Sequence, residues 1–78
     1  MKDRNGKELQ VGDVCVLKSR YEMYSDYNGE LFVVESKSLW PKDVEHARCS
    51  YYNSFFEDVL IAPFPTKYLE IIGSVRDE

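Results

Sequence analysis

His46 and Cys49 stand at a His-x-x-Cys spacing, so the first chemistry to weigh is zinc, with Cys15 and either Asp43 or Glu45 completing four ligands. Structural zinc in small domains draws on paired Cys-x-x-Cys or His motifs, which this chain lacks. A Cys-His nucleophile pair meets the same obstacle. His46 is the only histidine, no orienting partner is identifiable, and burial of Cys15 in an apolar strand would raise its pKa and make it inert. Glu57-Asp58, and Asp43 with Glu45, have the types needed for general acid–base work, but a solvated polar face accounts for them without chemistry. All four glycines are isolated, so no phosphate-cradling loop exists. We therefore expect no enzymatic activity, no metal and no cofactor.

Binding is better represented. Tyr21, Glu22, Tyr24, Asp26 and Tyr27 interleave rings with acids at a tyrosine spacing of three. Rings give flat apolar contact at low entropic cost, and carboxylates pair with Arg or Lys on a partner. With Trp40, Tyr52, Pro65 and Tyr68 beside them, these residues would line a groove for an extended or proline-rich peptide. The competing reading is that the tyrosines only cover one end of the fold with their hydroxyls in water.

The elements that must position these residues read as β. Leu9 and Val11 sit two apart, which places both on one face of an extended segment, and Gly12-Asp13 turns the chain into a strand from Val14 to Lys18. Asn5-Gly6 marks an earlier turn, and residues 19–29 form a long loop ending at Asn28-Gly29. Glu30 to Glu35 is a second strand whose continuous apolar centre suggests burial on both faces. Residues 43–56 admit an amphipathic helix, with Val44, Ala47, Tyr51 and Phe55 at spacings of three or four. We favour a hairpin instead, because the aromatic and β-branched content of Arg48–Tyr52 and Phe55–Ile61 suits strands flanking an Asn53-Ser54 turn. Pro63 and Pro65 then end that strand, Thr66 to Leu69 fits a 3₁₀ turn, and Leu69 to Ile72 closes the fold.

Glu8-Leu9-Gln10-Val11-Gly12-Asp13-Val14 resembles the acidic-Leu-turn-Gly-Asp segment of SH3 domains. Pro63-Phe64-Pro65-Thr66-Lys67-Tyr68-Leu69-Glu70 resembles their Phe-Pro-x-x-Tyr-Val segment before the last strand. The opening is equally similar to KOW-type barrels and to small barrels encoded by bacteria and phages. The Ala-Leu-Tyr-Asp-Tyr segment of signalling SH3 domains is absent, so the resemblance implies shared architecture: an all-β, SH3-like small barrel of about five strands with a 3₁₀ turn before the last. It also places the tyrosine loop where the long first loop of an SH3 domain meets its ligand.

Size and charge limit the partners. Seventy-eight residues make one domain, and eleven aromatic rings let so short a chain bury a core without staples. A net charge of −4, with Lys and Arg scattered apart from Lys2, Arg4 and Lys7, counts against generic nucleic-acid binding. No apolar run approaches a membrane span and no signal peptide is evident, so we expect a cytoplasmic chain with buried free cysteines. The function expected is a small acidic protein-interaction module, a regulator or inhibitor in a bacterial or phage setting. A KOW-like RNA or ribonucleoprotein binder is the alternative. Exposed strand edges leave either a monomer or a weak homodimer open.

Overall fold

The computed structural model describes residues 1–20, 24, 27, 29–39 and 45–75, with only the backbone described at 37–39. Five strands follow in order: β1 (Asp13–Leu17), β2 (Leu31–Leu39), β3 (Glu45–Asn53), β4 (Asp58–Pro65) and, after a 3₁₀ turn at Thr66–Tyr68, β5 (Leu69–Ser74). They form one antiparallel sheet in the order β4-β3-β2-β1-β5. No α-helix is present among the described residues, so the hairpin reading of 43–56 holds over the part described.

Strand periodicity creates the core. Cys15 and Leu17 on β1, Phe32 and Val34 on β2, Ala47, Cys49 and Tyr51 on β3, Phe64 on β4 and Leu69 on β5 are all buried and all point to one face. No helix or second sheet among the described residues covers that face, so the sheet must bend around its own side chains. The connection from β4 to β5 requires the same bend. These strands lie at opposite ends of the sheet order, yet only three residues of 3₁₀ turn, rising roughly 2 Å each, join them. Irregularities in register at Val34/Ser36 and at Val14/Cys15 add bend where β2 and β1 need it. No ladder joins β4 to β5 among the described residues, so the sheet is open.

Two buried aspartates hold the N-terminal segment on this sheet. Asp3 Oδ1 accepts the N–H groups of Asn5 and Lys7, each at 2.9 Å, and Oδ2 accepts that of Ile71 on β5 at 3.0 Å. Arg4 N–H donates to Leu69 O at 2.8 Å, so residues 1–8 lie along the free edge of β5. Asp13 Oδ2 accepts Gln10 N–H at 2.8 Å and closes the turn at Gly12, whose φ of 94° is the left-handed geometry that a glycine tolerates.

The turn at Gly12 overturns the expectation that Leu9 and Val11 share a face. Leu9 is fully buried and Val11 is half exposed, because residues 10–13 form a closed turn instead of an extended strand. Nor is β2 buried on both faces: Phe32 and Val34 are inside, Leu31 is exposed and Val33 is intermediate. Pro63 does not end its strand. It lies within β4, tolerated because β4 is an edge strand, and the strand ends at Pro65 as expected. Phe55 and Phe56 belong to the turn, not to a strand, since Asn53 Oδ1 accepts both their N–H groups, at 2.9 and 3.1 Å.

Candidate functional site

The strand alternation separates the groups that could have formed a reactive centre. Cys49 points into the core, whereas His46, three residues away on the same strand, has the opposite parity and faces outward. Burial, reinforced by the Asp13 and Asp3 charges, pushes the Cys15 thiol up to about 12. Burial, with smaller contributions from Cys15 and Glu35, pushes Cys49 up to about 12. Neither is a thiolate at neutral pH. Among the described residues, no three His, Cys, Asp or Glu side chains gather in a metal-holding group, and no helix is long and apolar enough to cross a membrane.

The aromatic residues are better organised. Tyr27 lies edge-on to Tyr51 and Phe64, with ring centroids at 5.5 and 5.2 Å, and its ring is 6.2 Å from that of Phe32. It therefore closes the end of the core with Phe32, Tyr51 and Phe64, themselves 4.8–5.9 Å apart. Tyr24 packs on Tyr68 of the 3₁₀ turn at 5.6 Å, and Lys67 Nζ lies 5.3 Å from the centre of the Tyr68 ring. Pro65 is buried at the end of β4, and Tyr52 is exposed on the outer side of β3. Tyr21, Glu22, Asp26 and Trp40, like Asp43 and Val44, lie outside the described residues.

Tyr27 and Tyr52 both line a surface cleft of about 300 Å³ that also involves Glu30, Tyr51, Asn53 and Phe55. Burial, then a hydrogen bond and proximity to Tyr27, hold the Tyr51 phenol above its ordinary value, while Asn53 acts in the opposite sense. The cleft thus presents aromatic rings and, among the described residues, one exposed carboxylate, Glu30, beside the exposed ring of Phe55. A flat ring wall next to an acid suits a cationic side chain, which gains from both the ring faces and the charge.

Two features were not anticipated. Phe55 and Phe56 are 85% and 64% exposed, packed edge to face at 5.0 Å on the β3–β4 turn. Their adjacency to Asn53-Ser54 was a signal that they belonged to the turn and so to the surface. The second is a basic cleft of about 320 Å³ lined by Arg4, Lys18 and Arg20. The spacing of Lys18 and Arg20 was visible, but Arg4 joins them only because the N-terminal segment lies along β5. Lys18 Nζ also bonds Glu70 Oε2 at 2.7 Å, and this ion pair first, then Asn5, keeps the Glu70 carboxyl below its ordinary value.

No family model matches the chain, and neither a curated protein nor a solved structure gives a match.

Proposed function

We propose that the chain is a non-enzymatic protein-interaction domain that receives a basic side chain of its partner in the cleft between Tyr27, Glu30, Tyr52 and Phe55. The observation that carries this reading is the convergence of a loop tyrosine, a strand tyrosine, a turn phenylalanine and an exposed carboxylate on one opening. Buried thiols held protonated favour a binding role over a nucleophilic one. We read the curled sheet as an SH3-like barrel, supported by the three-residue 3₁₀ link between its two edge strands. A cytoplasmic bacterial or phage regulator is the setting that the resemblance to small barrels suggests.

The test is a heteronuclear NMR titration of the labelled chain with short peptides combining proline and arginine. Amide shifts are expected at Glu30, Tyr52, Asn53 and Phe55, and they should vanish in Glu30→Lys and in Phe55→Ala. Shifts that survive both substitutions, or the absence of shifts at the cleft, would remove the proposal. Tyr27 is unsuitable as the test residue, since its ring is part of the core end.

A second reading rests on the basic cleft. Arg4, Lys18 and Arg20 form a local cationic site on an acidic chain, as an RNA or ribonucleoprotein binder needs for phosphate. Single-stranded RNA binding that weakens with salt and is lost in Arg4→Glu supports it. Salt-independent or absent binding counts against it.

A further inference from the structure

The outer face of the sheet carries an apolar surface that no described element covers. The register sets Ile61 opposite Ser50, Ser50 opposite Val33 and Val33 opposite Val14, forming one row across four strands. In the adjacent row Val59 lies opposite Tyr52, and Leu31 opposite Val16. Leu31, Tyr52, Val59 and Ile61 are exposed, and Phe55 and Phe56 extend the surface past the hairpin turn. An antiparallel sheet with one solvated face ordinarily alternates apolar and polar residues, whereas here both faces of β4 are apolar.

The free edge of β4 is closed to strand addition. A proline cannot donate to a ladder, so Pro63 and Pro65 occupy non-hydrogen-bonded pairs with Arg48 and His46, their nitrogens turned to the free edge. Alternation turns the N–H groups of Ile61 and Val59 the same way. The Val59 N–H is occupied by Asp58 Oδ1 at 2.7 Å. Two prolines and an aspartate cap thus leave only Ile61 to donate, which is too little for pairing by backbone.

We propose that the occupant of the outer face is a second copy of this chain, stacked sheet on sheet about a two-fold axis. Leu31, Tyr52, Val59 and Ile61 are each more than half exposed on this face, and with Phe55 and Phe56 on the adjoining turn they supply the apolar centre that an interface of roughly 800 Å² per partner needs. Charge is arranged for the same pairing. Glu57 and Asp58 are exposed at the hairpin end, while Arg48 is exposed on the outer face of β3, four residues and about 14 Å from Tyr52. A two-fold stack with the two copies of β3 antiparallel brings Arg48 of one copy toward the acidic turn of the other and separates the two acidic ends. An isologous interface requires this kind of self-complementarity.

Sedimentation velocity across about 1 µM to 1 mM reads the association directly. The wild-type mass should rise from 9.1 kDa toward twice that value with concentration. Ile61→Lys and Val59→Lys, which do not line the aromatic cleft, should remain monomeric throughout. Arg48→Glu should weaken association at least tenfold, and Arg48→Glu with Glu57→Arg should restore it. A dilution series of wild-type NMR spectra avoids any dependence on variants folding, with shifts expected at residues 31, 33, 50, 52, 59 and 61. A wild-type chain that stays monomeric at the highest concentration, or dilution shifts confined to β5 and residues 1–8, overturns the proposal. So does a dimer that survives both lysine substitutions.

Discussion

The two faces of the sheet are built from the same kinds of residue and behave in opposite ways. Phe32, Val34, Cys49 and Phe64 are buried on one face, while Leu31, Tyr52, Val59 and Ile61, on the same three strands, are each more than half exposed on the other. Composition does not separate them. The separation comes from curvature, because a sheet with no second layer among the described residues can cover only the face it bends around. The inner face therefore supplies folding energy, and the outer face is left with apolar area that is available for association.

Truncating the inner face should give the largest effect. Phe32→Ala and Phe64→Ala each remove a ring from the four-ring cluster and should cost about 3–5 kcal/mol in urea denaturation. Equal losses from Ile61→Ala at the same dilute concentration would break the distinction between the faces.

Asp3 sharpens it at the edge of the sheet, where a polar group does what rings do inside. Burial favours its neutral form, but the N–H groups of Ile71, Lys7 and Asn5 and the Lys7 charge outweigh this and hold the carboxyl below 3.8. Asp3→Ala leaves those donors without their acceptor and should cost about 2–3 kcal/mol at neutral pH. The folded-state pKa is depressed, so the contribution is fully present above the unfolded value and is lost as pH falls through the folded one. The stability gap between wild type and Asp3→Asn should therefore narrow below pH 3.8. A gap that stays constant or widens on acidification would show that the carboxylate charge is not what holds the segment.

Strands and turns are legible in the sequence because local chemistry decides them. Gly6, Gly12 and Gly29 all take positive φ where a turn was expected, and Thr66–Tyr68 forms the 3₁₀ turn read from its sequence. Long-range relations are not legible in the same way. Asp3 reaches Ile71 across 68 positions, and nothing beside Asp3 names that partner. Val59 and Ile61 are read from the sequence as strand residues, with nothing to say which way they face. Their exposure follows from the absence of a covering layer among the described residues, which no window of sequence contains. Of the candidate site residues, Tyr24 and Tyr68 meet each other, and Tyr27 and Tyr52 line the same cleft. Pro65 is buried, a consequence of the chain turning from β4 into the 3₁₀ segment.

Tyr27 stands on the boundary between the two regions, with its ring against the core and one side on the cleft. Tyr27→Phe keeps the ring and deletes the hydroxyl that Tyr51 bonds, so it should cost about 1 kcal/mol. In a spectrophotometric titration the Tyr51 phenol should move back toward 10.0 without reaching it, because burial is the larger cause of its elevation and remains. A Tyr51 transition unchanged by the substitution would detach the cleft from the core.

Ile61→Thr should have the smallest effect and be the most discriminating. Threonine keeps the β-branched shape that a strand favours, and at an exposed position on the outer face it should change monomer stability by no more than about 0.5 kcal/mol. The measurement must be made well below the concentration at which copies associate, since burial in a dimer would add an apparent stability that depends on protein concentration. Denaturation curves that coincide with wild type when dilute and diverge from it when concentrated would assign the value of Ile61 to association alone. A loss of about 2 kcal/mol or more in the dilute chain, a large fraction of the stability of a small domain, would mean that the outer face contributes to folding and that the two faces do not divide the work.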